Sequence, residues 1–190
     1  MISLTLISDR VRDKLSDLAL CVFIGNIKRT KKLLKKNDIN SKFLNNNNLL
    51  QICSYNDDVE MFCFLLNRGC DFKHINDNGD TCLHIIVLNN NIYCLDILCR
   101  NNIKDIINIK NKDGDTALHI SIKNGFYESF SLLLKYGVDI LIKDDFDMDA
   151  YELLDVFRKK EKFYDSNCNK YSIMFNLLIK EKMKGEIRKI

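Results

Sequence analysis

The sequence predicts an all-α solenoid of about five helix-turn-helix units with degenerate units capping both ends, and three observations predict it. The first is a phrase spelled twice, Asn78-Gly79-Asp80-Thr81-Cys82-Leu83-His84 and Asp113-Gly114-Asp115-Thr116-Ala117-Leu118-His119, whose histidines stand 35 positions apart (119 − 84). Self-similarity at that period is the mark of stacked supersecondary units, none of which can bury its apolar face alone. The second is the run after each phrase, where apolar residues recur every three or four positions and stop at a glycine, as amphipathic helices do. The third is composition: 190 residues, 46% hydrophobic, with seven glycines and no proline, hold enough apolar material for one continuous core and little for flexible linkers.

The unit at 113–145 is the most complete. Leu118, Ile120 and Ile122 open its first helix, Asn124-Gly125 makes the turn, and Phe130, Leu132, Leu133 and Leu134 run to Tyr136-Gly137. The phrase at 78–84 opens the unit at 78–112. Upstream, the unit at 45–77 has Leu49 to Cys53 in place of the opening helix, without Thr and His, and then Val59, Phe62, Phe64, Leu65 and Leu66 before Arg68-Gly69. A degenerate first unit at 14–44 is read from Leu18 to Cys21, Gly25-Asn26 and Leu33-Leu34. A last unit at 146–182 opens at Asp147 to Leu153, with its second helix delayed to Ile173–Ile179 beyond a polar insert from Lys159 to Lys170. Residues 183–190 are a basic tail. Counted from Ala19 through Leu50, His84 and His119 to Glu152, the steps are 31, 34, 35 and 33. One domain over 1–190 is expected.

Gly-x-Thr-x-Leu-His at this period, with Leu-Leu-x-x-Gly closing the second helix, resembles the ankyrin repeat. The resemblance implies a binding surface rather than a catalyst. It also implies that Thr81 and Thr116 cap helices, and that His84 and His119 hydrogen-bond across the loops of adjoining units, so the histidines are scaffold. Cys70, His74, Cys82 and His84 fall within fifteen positions, but among these four there is neither a Cys-x2-4-Cys nor a His-x3-5-His pair, which argues against structural zinc. No Cys-x-x-Cys, phosphate loop, dinucleotide glycine pattern, nucleophile elbow or His-Glu-x-x-His is present. Catalytic, cofactor-binding and metal-binding residues are therefore expected to be none, and no small-molecule substrate is expected.

Net charge is +3, far from that of a dedicated nucleic-acid binder. The cations gather at Lys28, Arg29, Lys31, Lys32, Lys35 and Lys36 and at Lys180, Lys182, Lys184, Arg188 and Lys189, and read as solvated faces at the two ends. Asp139, Asp144, Asp145, Asp147 and Asp149 form an acidic run suited to a basic peptide or simply to solubility. Cys21, Cys53, Cys63, Cys82 and Cys94 occupy small apolar helix positions and read as reduced core thiols. The apolar start Met1–Leu6 is too short for a signal peptide and no stretch approaches a membrane span. A cytoplasmic or nuclear protein of a host cell, monomeric until it meets its partner, is expected. Richness in Asn, Ile and Lys fits an AT-rich genome such as that of a large DNA virus or a parasite.

The joint from Ile107-Asn108-Ile109-Lys110-Asn111 into the second phrase is similar to the joint between repeats of the inhibitor-of-NF-kappa-B proteins, and the 35-residue step agrees with the extended connection there. Animal members carry a serine degron before the repeats and an acidic, proline-rich tail; here there are only scattered Ser3, Ser8 and Ser16 and a basic end. The chain thus resembles the short virus-encoded members, which implies that it binds host Rel homology domain transcription factors. Contacts are then expected at three loop tips: Asn76, Asp77 and Asn78; Lys110, Lys112 and Asp113; and Lys143, Asp144, Asp145 and Phe146. The alternative is an ankyrin adaptor for another host factor, such as a ubiquitin ligase engaged through a terminal segment around Ile173–Ile179.

Overall fold

The structure, a computed structural model, describes residues 16–164 and 169–187. Met1–Leu6, Ser3, Ser8, Arg188, Lys189 and the side chain of Lys184 lie outside the described residues. Ten α-helices and no strands occur among the described residues, and two compact units divide them, one ending at Asn101 and one beginning at Asn102. The first holds α1 (Asp17–Phe23), α2 (Ile27–Leu33), α3 (Leu49–Ser54), α4 (Val59–Asn67), α5 (Cys82–Leu88) and α6 (Ile92–Cys99). The second opens with a 3-10 turn at Ile103–Asp105 and holds α7 (Ala117–Asn124), α8 (Tyr127–Lys135), α9 (Ala150–Tyr164) and α10 (Lys170–Ile187).

Most of these helices are only two turns long, too short to persist alone, so each depends on packing and on how its ends are closed. One device closes the starts of the first helices of the pairs. The Asn48 and Gln51 side chains each accept the other's backbone N–H at 3.0 Å. Asp149 and Glu152 do the same at 3.0 and 2.9 Å. The N–H groups of Thr81 and Thr116 donate to Nδ1 of His84 and His119 at 3.1 and 3.2 Å. Each pair is a capping box, satisfying helix-end donors that would otherwise be stranded. Ser16 supplies half of one, accepting from the Ala19 N–H at 3.3 Å. From residue 19 the register therefore runs through 51, 84, 119 and 152. The reading that placed Leu50 in this register is off by one, because the box needs a side-chain acceptor and Gln51 carries it.

At the pair that lacks a histidine, that glutamine makes the bond across the loop. Gln51 Nε2 donates to the carbonyls of His74 at 3.1 Å and Asp80 at 2.7 Å, tying α3 to the following loop. In the second unit His119 Nε2 is buried near the Met148 main chain without forming an ordinary hydrogen bond. Second helices start on Asn26, Asp58 and Asn91, whose side chains accept N–H bonds near 3.0 Å.

The core is aliphatic with two fully buried rings. Phe62, Met61, Leu65, Leu83, Ile86, Leu95 and Leu98 have no exposed surface in the first unit, and neither do Ile122, Phe130, Leu133, Leu154, Met174 and Leu178 in the second. Each such side chain contributes about 1.5–3 kcal/mol by leaving water. The lengthened connection at 103–107 buries Ile103, Ile106 and Ile107. The segment from Lys159 to Tyr164, expected to be a polar insert, continues α9 as helix. Cys21, Cys53, Cys82 and Cys94 are buried as expected, Cys70 and Cys99 also, while Cys63 is half-buried. Burial pushes the thiols of Cys70 up to about 11 and of Cys94 and Cys99 up to about 12, so they stay protonated at neutral pH.

Candidate partner-binding surface

The loops between helix pairs share one construction, set by an Asn or Asp at the base. Asn76 Oδ1 accepts the N–H groups of Asn78 and Asp80, both at 2.9 Å. Asn111 Oδ1 accepts those of Asp113 and Asp115 at 3.1 and 3.0 Å. Asp144 Oδ1 accepts those of Phe146 and Met148 at 2.9 and 3.1 Å. A side chain that gathers two N–H groups in this way forces the chain into a tight finger. Three positions on, the backbone turns left-handed, at Gly79 (φ 78°), Gly114 (φ 76°) and Asp147 (φ 61°). Asn46 (φ 57°) takes that place in the loop closed by the Phe43 N–H to Asn47 carbonyl bond at 2.8 Å.

This construction separates finger bases from finger tips, and it corrects two of the expected contacts. Asn76 is 5% exposed, and its amide also donates to Asn47 Oδ1 at 2.9 Å. Asp144 is 4% exposed. Both side chains face into their own loops and present nothing to a partner. Asp77 and Asn78 in the first unit are exposed, as are Lys110, Lys112, Asp113, Lys143, Asp145 and Phe146 in the second. Phe146 is 75% exposed, a large apolar ring standing in water at a finger tip. Two of the neighbouring acids already have partners: Lys110 Nζ lies 3.2 Å from Asp145 Oδ1, and Lys143 Nζ lies 2.9 Å from Asp147 Oδ2. Asp139 Oδ1 holds the Leu141 N–H at 2.9 Å and Asp149 caps α9. The acidic run of the sequence is thus much less acidic toward a visitor than its composition suggests.

Beneath the tips of the second unit sits a charged network that motif reading did not single out. Lys123, on α7 one turn beyond His119, places Nζ 2.5 Å from Asp115 Oδ1 and 3.4 Å from Asp144 Oδ2, the latter side chain having no exposed surface. Burial works against the Lys123 charge, yet the two carboxylates outweigh it and hold its ammonium above the ordinary lysine range. Burial likewise raises the Asp144 carboxyl, but the N–H groups of Met148 and Phe146, with Lys123, hold it below the ordinary carboxylate range. The same ammonium stands 5.9 Å from the centre of the Phe146 ring, at the outer limit of cation–π contact. The ring at the tip is therefore seated over an anchored cation.

Burial lowers the pKa of His119 against the pull of Asp115 and Asp144. A base with a depressed folded pKa binds fewer protons folded than unfolded, so stability is full above about pH 6.5 and falls as pH drops below it. His119→Gln, which copies the solution already present at Gln51, is expected to keep the capping box and flatten this part of the pH–stability profile. Urea midpoints of wild type and variant at pH 7.5 and pH 5.5 measure it, the expected result being a smaller drop in the variant.

Among the described residues no group of three or more His, Cys, Asp and Glu is placed to hold a metal ion, and no helix is long and apolar enough to cross a membrane. The family profile for ankyrin repeats, in three copies, matches residues 49–144, 96 of 190 positions. The chain belongs to the ankyrin-repeat proteins. Ankyrin repeats are typically non-catalytic, and those of this chain indicate a protein-binding module. A search of curated proteins finds no match. Two of its distinctive features, the exposed Phe146 over Lys123 and the buried Gln51 crosslink, stand at positions that the Thr-x-Leu-His phrase does not mark. A signal was available for Gln51 in the Asn-x-x-Gln box, and for Lys123 in its four-residue offset from His119.

Proposed function

We propose that this ankyrin protein is a virus-encoded, IkappaB-like inhibitor that sequesters host Rel homology domain transcription factors in the cytoplasm or nucleus and so suppresses innate immune signalling. One observation carries the reading: the 35-residue step, in which Ile107-Asn108-Ile109-Lys110-Asn111 leads into the second Thr-x-Leu-His phrase through a lengthened connection. The 3-10 turn at Ile103–Asp105 occupies that added length. The contacts are assigned to the exposed tips, Asp77 and Asn78 in the first unit and Lys110, Lys112, Asp113, Lys143, Asp145 and Phe146 in the second. Phe146 is the anchor, because aromatic side chains that desolvate at the centre of an interface carry a disproportionate share of its energy. Co-precipitation of a Rel homology domain with this chain tests the reading, with an unrelated ankyrin protein as control. Capture above control is expected, and capture no greater than control rejects it.

A further inference from the structure

In the first unit a cleft of about 400 Å³ opens at the turns that join first and second helices, lined by Asp57, Val59, Asn90, Asn91, Ile92 and Tyr93. We infer that this cleft is a second protein-recognition site and that it takes the side chain of an arginine from a partner peptide. Its walls are the first residues of α4 and α6, Val59 and Ile92, which offer an apolar channel for an alkyl stem. At the rim stands Tyr93, 76% exposed. At the turn stands the exposed carboxylate of Asp57, with no cation in ion-pair distance among the described residues. A guanidinium satisfies both groups at once, stacking flat on a phenol ring while forking its N–H groups onto a carboxylate. No Lys, Arg or His lines the cleft, so an anion would meet the Asp57 charge uncompensated.

The floor is rigid. Asn91 is 4% exposed, accepts the Cys94 N–H at 3.0 Å and donates to the Asn56 carbonyl at 3.4 Å. The turn itself departs from the other copies where the cleft lies. At the corresponding step of the repeat, Gly25 (φ 74°) and Gly125 (φ 65°) are glycines, whereas Asp57 and Asn90 carry side chains, Asn90 in the left-handed region at φ 51°. The Asp57 carboxylate therefore stands where those two copies have no side chain at all. This site shares no residue with the finger tips, so it stands or falls independently of the Rel reading.

The test is a titration of the full isotope-labelled chain with acetyl-Gly-Arg-Gly-amide at millimolar concentrations, followed by NMR, with the citrulline and glutamate peptides in parallel. The expected result is saturable shifts centred on Asp57, Val59, Ile92 and Tyr93 with the arginine peptide alone. Tyr93→Ala and Asp57→Asn should each weaken binding at least threefold, with the rest of the spectrum unchanged. No shifts at the cleft, equal shifts with citrulline or glutamate, or shifts centred instead on Asp145 and Asp147 overturn the inference.

Discussion

Replacing Asp144 by alanine lowers the stability of the second unit by about 3 kcal/mol, most of it from stranding groups that the carboxylate now satisfies. Two backbone N–H groups, of Phe146 and Met148, lose their acceptor inside a closed loop. Lys123, only 28% exposed at its side chain, is left with Asp115 alone. A charge-assisted hydrogen bond is worth about 1.5–3 kcal/mol, and the removal of one partner costs more than the pair contributes. The effect depends on pH. Because the Asp144 pKa is held down in the folded state, its contribution is present above about pH 4 and is lost as pH falls through the folded pKa. Wild type and Asp144→Ala should therefore converge in urea midpoint as the pH is lowered from 7 to 3. Asp145→Lys, by contrast, alters an exposed residue with one surface ion pair and should shift the midpoint by no more than about 0.5 kcal/mol. A substitution at Asp145 thus tests a surface, whereas one at its neighbour Asp144 breaks a loop.

Gly114→Ala is expected to cost about 3 kcal/mol, and Gly137→Ala about 1 kcal/mol, although the two glycines share nearly the same backbone angle. Their φ values are 76° and 79°, so the left-handed penalty is common to both. The difference is space. A methyl group at Gly114 would sit 2.7 Å from the Asp145 amide nitrogen and against its carboxyl group, whereas at Gly137 nothing stands within 4 Å. Backbone cannot rotate away as the end of a long side chain can, so neighbouring fingers of the second unit must separate to admit the methyl. Equilibrium urea unfolding of both variants reads the difference, and equal losses would show that angle rather than contact dominates.

Much of the helix order follows from the repeated phrase, because caps and apolar spacing are local properties. The boundary of α7 is written in Thr116, His119 and Asn124-Gly125, and the structure places it at Ala117–Asn124. What escaped was decided by which groups each polar side chain bonds, and composition does not record that. Asn76 and Asp144 look like tip residues in a polar string. Only the bonds they accept from two and four residues ahead reveal them as bases, and the left-handed residue three places on is the sequence-level clue. Gln51 replaces a histidine because the box needs an acceptor and not an imidazole. Lys159–Tyr164 was hidden by its charge, since a helix extended mostly by Lys, Glu and Phe shows little apolar period. The cleft at Asp57 and Tyr93 brings together two turns 33 positions apart (90 − 57), and no motif records that.

The proposed Rel-binding role places the contacts on exposed finger tips, and not on the buried finger bases. Titration calorimetry of that domain into the wild-type chain and into the double variant Asp145→Lys with Phe146→Ala tests it most directly. Saturable binding to wild type and at least a tenfold weaker affinity for the variant are expected, with the urea midpoint within about 0.5 kcal/mol of wild type. Absence of binding to the wild-type chain, or equal affinity for the two proteins, would contradict it.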